Sequence, residues 1–108
     1  MTSSPLANQL RHHLAPLKPA QIRLIGSWAS GDIHEDSDVE LVGVLNESGI
    51  SRNYAEKRIK RKKVREALRP LADHYAFDLL VYTRDEWDEI QNSDAAFSRE
   101  LATTGIIL

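Results

Sequence analysis

Apolar residues recur along this chain with two different periods. Leu6, Leu10, Leu14 and Leu17 follow a Ser4-Pro5 start at helical spacing, which predicts an amphipathic helix over residues 5–16, ended by Pro16 and Pro19. "QIRLIG" then reads as a short apolar strand that stops at Gly26, and "DVELVGVL" from Asp38 and "FDLLVYT" from Phe77 are two more strand-length runs rich in β-branched or aromatic residues. Between them, "NYAEKRIKRKKVREALRPLADHYA" carries Ile59, Val64, Leu68, Leu71 and Tyr75 as a helical stripe, with Pro70 as a kink or break. That helix is expected to cover one sheet face.

After the third strand, Thr83 with Glu86 forms a capping box for a helix through Trp87 and Ile90. Ser93 or Asp94 can start another helix containing Phe97 and Leu101, and the terminal "GIIL" can add a short edge strand. No repeat or low-complexity tract interrupts this order. The expectation is therefore one layered domain of α/β type over residues 1–108, whose topology the order alone does not fix.

Composition narrows the chemistry. With 108 residues, 42% hydrophobic, and a formal net charge of -2, the chain reads as an ordinary globular protein without global adaptation to a polyanion. The absence of cysteine removes thiol nucleophiles, disulfides and cysteine-based zinc sites, and fits a reducing compartment such as the cytoplasm. The N-terminal stretch lacks an export pattern and no apolar run approaches membrane-spanning length, so neither secretion nor a membrane anchor is expected.

Charge is informative only locally. "GSWASGDIHEDSDVELVGVL" sets Asp32, Glu35, Asp36, Asp38 and Glu40 within nine positions. The first three read as solvated loop residues. Asp38 and Glu40 differ, because strand side chains alternate: these two share one face while Val39 and Leu41 point into the core. Two neighbouring carboxylates repel unless a cation sits between them, and Mg²⁺ takes a few carboxylate oxygens together with waters and phosphates. Asp78, alone in the apolar run "FDLLVYT", can complete the set if the second and third strands are neighbours. Strand interiors are depleted in Asp and Glu, so these three acids need a reason. In "GSWASG", Gly26 permits close backbone approach and Ser27 offers a hydroxyl and an amide to a phosphate.

The joint spacing of Gly26-Ser27, then Asp38-Val39-Glu40-Leu41, then Asp78 on a later strand resembles the nucleotidyltransferase superfamily that includes DNA polymerase beta. The chain length, the basic helix, "FDLLVYTRDEW" and "FSRELATTGIIL" look like the minimal nucleotidyltransferases, over about residues 5–108. This resemblance implies the polymerase beta-like nucleotidyltransferase fold, of α+β class, with a small mixed β-sheet flanked by helices. It also implies that Asp38, Glu40 and Asp78 bind two Mg²⁺ ions, that Gly26 and Ser27 hold a nucleoside triphosphate such as ATP, and that Asp78 helps deprotonate the acceptor. Minimal members are commonly antitoxins paired in a hetero-oligomer with an all-helical HEPN ribonuclease toxin, which they silence by adenylylating a tyrosine. Two departures stand out: Ser30 where such proteins often have Arg, and Glu40 where they often have Asp. They motivate an alternative, a weak or inactive enzyme that neutralises its toxin by binding alone.

The run "KRIKRKKVR", residues 57–65, has seven cations in nine positions spread over more than one helix face. It reads as a solvated flank or as a patch for phosphate or an acidic partner; without interleaved aromatics and with net acid elsewhere, nucleic acid is a poor lead. The four histidines read as surface residues, Trp87 as core, and Trp28 as packing against the sheet in preference to stacking on a base.

Overall fold

The structure, a computed structural model, describes residues 5–34, 37–93, 95–96, 99 and 105–108. It is a small α+β fold in which four α-helices and a four-stranded mixed sheet are described. The helices are α1 (Pro5–Leu14), α2 (Ser27–Ser30), α3 (Tyr54–Ala67) and α4 (Arg84–Gln91). The strands are β1 (Gln21–Ile25), β2 (Val39–Val44), β3 (Phe77–Tyr82) and β4 (Ile106–Ile107), in the spatial order β3-β2-β1-β4. β1 is antiparallel to β2 and β4, whereas β2 and β3 run parallel, joined through α3.

Helix α1 buries Leu6, Ala7, Leu10 and Leu14 on one stripe. It stops at Leu14, two residues before the expected end, and tightens into a 3₁₀ turn over Ala15–Leu17. Pro16 has no amide hydrogen to continue an α-helical ladder, so the tighter turn takes over there.

The sheet has two covered faces. On one, Val39 and Leu41 of β2, Ile22 and Leu24 of β1, and Leu79 of β3 pack against α1 and against Val64 and Leu68 of α3. On the other, Val42 and Val44 lie beneath Trp87 of α4, with Ile25, Leu80, Tyr82 and Ile90 alongside. Burial from both sides explains why β2 is apolar at nearly every position, as central strands of such sheets are. Glu40 is its exception.

Ile59 is corrected: it is 61% exposed instead of joining the α3 stripe. Five helical steps of about 100° put it about 140° away from Val64, so the stripe passes through Lys60 and Arg61, whose aliphatic stems give partial cover. Asn53 starts α3 by accepting the Glu56 amide, and Pro70 falls in a 3₁₀ turn (Arg69–Leu71) just past its end, as its missing N–H requires.

The Thr83–Glu86 capping box opens α4 as expected, and "GIIL" supplies the edge strand β4, the Leu108 amide donating to the Ile22 carbonyl. The expected helix carrying Phe97 and Leu101 centres on positions outside the described residues. Among the described residues no helix is long and apolar enough to cross a membrane.

Candidate functional site

The candidate site lies where β1 ends and β2 and β3 begin. Antiparallel pairing sets Ile25 opposite Glu40, and parallel pairing sets Glu40 opposite Asp78. Cross-strand partners share a face, so Glu40 and Asp78 project side by side from adjacent strands. Asp38 immediately precedes β2, two positions from Glu40, and is exposed, as is Asp78; Glu40 is half-buried. The condition that the second and third strands be neighbours is met.

Gly26 closes β1 in a backbone conformation, φ 71 and ψ -153, that is essentially reserved for glycine. That turn directs the chain into the single turn of α2, where the Gly26 carbonyl accepts the amides of Ala29 and Ser30, both at 3.1 Å. Ser27 begins this turn half-buried, and Gly31 ends it with φ 86, its amide donating to the Ser27 carbonyl at 2.9 Å. The amides of Ser27 and Trp28 precede the first intrahelical bond, on the side where an anion is favoured.

Glu40 and the glycine turn are in direct contact. A Cβ placed on Gly26 would fall 2.5 Å from Oε2 of Glu40. The carboxylate therefore lies beside the turn, and a side chain added at Gly26 would require it to swing aside.

Trp28 serves packing. Its indole Nε1 donates to the Ser37 carbonyl at 3.3 Å, and its ring meets Tyr75 edge-to-face at 5.6 Å. One side chain thus ties the turn, the residue before Asp38 and the approach to β3 together. Asp32 is an exposed loop residue with a carboxylate oxygen 3.6 Å from Nε2 of His34 at the surface; Glu35 and Asp36 lie outside the described residues.

The donor set that Asp38, Glu40 and Asp78 offer is oxygen-only, which suits Mg²⁺ chemically. The backbone gives them a common face, but no group of three Asp, Glu, His or Cys side chains is arranged to hold one ion among the described residues.

Three features of this region had weaker signals in the sequence. Arg23, in register with Val42 on the acidic face, is buried with its guanidinium 5.8 Å from the centre of the Trp87 ring. A cation at mid-strand in "QIRLIG" was the available hint. The segment 47–51 is tied to the start of α4: the Gly49 amide donates to Asp85 at 2.6 Å and the Ser51 amide to Glu86 at 3.1 Å. Those two acids follow the capping Thr83, but their long-range partners are not readable from spacing. Finally, a concavity of about 640 Å³ runs along β3 from Asp78 to Tyr82.

Burial acts to raise the Glu86 pKa, but amide hydrogen bonds from Thr83 and Ser51 and the Lys60 charge outweigh it and hold the carboxyl below its ordinary value. Tyr82, beside it, is pushed up by burial first and then by the Glu86 charge. Both groups lie on β3 and α4, away from the glycine turn.

Comparisons with known protein families, curated proteins and solved structures give no match to this chain.

Proposed function

We propose that the chain is a Mg²⁺-dependent nucleotidyltransferase of the minimal, polymerase beta-like kind, which moves AMP from ATP onto a tyrosine hydroxyl of a HEPN ribonuclease toxin and thereby acts as its antitoxin. The observation that supports this most is the register of Glu40 with Asp78 beside the Gly26 turn. Carboxylates and a glycine turn at one end of a mixed sheet are parts such a reaction needs, and the four-stranded sheet is compatible with that fold.

In this reading Asp38, Glu40 and Asp78 would hold the metal, and Ser27 with the Gly26 turn would hold the triphosphate. Bound Mg²⁺ neutralises phosphate charge and aligns attacking and leaving oxygens. Asp78 takes the acceptor hydroxyl's proton as that oxygen attacks the α-phosphorus; the bond to pyrophosphate breaks and pyrophosphate leaves. The pairing would make a hetero-oligomer, and a cytoplasmic location goes with it.

The test is incubation of the chain, labelled ATP, Mg²⁺ and the co-encoded partner protein. Label on the partner that disappears with Asp38→Asn supports the proposal; no label with the native pair overturns it.

One observation favours a second reading. The Glu40 carboxylate lies beside Gly26, whose turn would take a phosphate, and Ser30 provides no cation there. A chain so arranged would neutralise its toxin by contact alone, and neutralisation would then survive in a variant with both Asp38→Asn and Asp78→Asn.

A further inference from the structure

Strand β3 borders the sheet: among the described residues its one hydrogen-bonded neighbour is β2. The Val39 amide donates to the Ala76 carbonyl and the Leu45 amide to the Tyr82 carbonyl, so even-numbered residues direct their backbone groups toward β2. In an extended strand successive residues direct N–H and C=O to opposite sides. Phe77, Leu79 and Val81 therefore turn their backbone donors and acceptors outward. Exposed edges of this sort are templates for another strand.

This edge lies in the concavity of about 640 Å³ noted above, and the two walls differ in sign. Helix α3, on one sheet face, contributes Lys57 and Arg61. Helix α4, on the other face, contributes Glu86 and Glu89. The Glu86 carboxylate is hydrogen-bonded to the amides of Thr83 and Ser51, whereas Glu89 is exposed.

We propose that the free edge of β3 docks an extended peptide segment of a partner protein as a fifth strand, with acidic side chains on its α3 side and basic ones on its α4 side. Alternate side chains of a strand point to opposite faces, so a segment alternating acid and base meets both walls at once. The main-chain bonds supply affinity and the two walls supply the choice of partner. A second copy of this chain is a poor occupant: antiparallel pairing of β3 with itself about a twofold axis sets α3 beside α3 and α4 beside α4, cation against cation and acid against acid. Docking of this kind needs no nucleotidyl chemistry.

The test uses the full chain, isotope-labelled, with an end-blocked eight-residue peptide alternating Glu and Lys, followed by amide resonances. Binding should move the amides of Leu79 and Val81 most. It should vanish when every peptide amide is N-methylated, and weaken about tenfold in the K57E/R61E chain. Amide shifts at β1 and β4 report whether that variant is folded, and the N-methylation comparison stands on the native chain alone. No binding at about 1 mM peptide, equal binding of the N-methylated peptide, or shifts confined to the cations of α3 would each overturn the proposal.

Discussion

The carboxylate of Glu40 occupies the space where a side chain on Gly26 would begin: a Cβ added there would be 2.5 Å from its Oε2 and 2.9 Å from its Cδ. Strand pairing brings the two together, because Glu40 faces Ile25, the residue before the turn. Gly26 is needed for its backbone angles, and a Cβ there would in addition make the flexible end of Glu40 shift.

Gly26→Ala should therefore cost about 1–3 kcal/mol from the backbone alone, with the contact adding to it. Urea unfolding of Gly26→Ala, Glu40→Ala and the double variant should give non-additive losses, since Glu40→Ala removes the clash and leaves only the backbone strain. Strict additivity would show that the two residues do not touch.

Glu40→Asp shortens the side chain by about one C–C bond, withdraws it from Gly26 and matches the acid more usual in minimal nucleotidyltransferases. Under the proposed function, transfer of labelled AMP to the partner should rise about tenfold, because metal and phosphate geometry would respond to shifts of about 1 Å. Asp38→Asn and Asp78→Asn should each lower it about 100-fold. Unchanged transfer in either Asn variant would remove that residue from the reaction.

Thr83 is fully buried; its hydroxyl accepts the Glu86 amide at 3.1 Å and donates to the Gly49 carbonyl at 2.6 Å. Thr83→Ala loses both the cap and the tie to the 47–51 segment, so stability should fall by about 1–2 kcal/mol, whereas Thr83→Ser should lose less than half of that. Thermal melting of the pair is the measurement.

Glu86 has a lowered pKa in the folded state, so its contribution is present above the unfolded value, about 4.3, and is lost as pH falls through the lower folded value. Melting temperature should drop on acidification from about pH 5 to about pH 3, and Glu86→Gln should flatten that slope. An unchanged slope would mean that other carboxylates carry the acid response.

Leu68 and Ile59 test the orientation of α3. Leu68 is buried at 1% exposure, and Leu68→Ala should cost about 2–5 kcal/mol. Ile59→Ala should change stability by less than about 0.5 kcal/mol, since that side chain faces solvent. Comparable losses in denaturant titration would contradict the helix rotation described above.

Much of the architecture was legible because it is written in local periods. The three long strands, the capping box at Thr83 and the short "GIIL" strand appear where alternation and capping chemistry put them. The misreadings have local causes. Ile59 is apolar and near the spacing of the α3 stripe, yet its angle to Val64 turns it to solvent. The first helix ended early because Pro16 acts on the turn before it.

The candidate site divides in the same way. That Asp38 and Glu40 share a face follows from the two-residue period of a strand, and a turn at Gly26 follows from its composition. That Asp78 stands beside Glu40 depended on which strands are neighbours and in which register, and no local pattern encodes that pairing. The lean of Glu40 onto Gly26, the burial of Arg23 against Trp87 and the two-signed groove beside β3 depend on tertiary packing as well. Local periodicity is set by backbone geometry along the chain, whereas contacts between distant segments are set by which faces must be buried together; the first was readable from the residues in order, and the second only from the folded molecule.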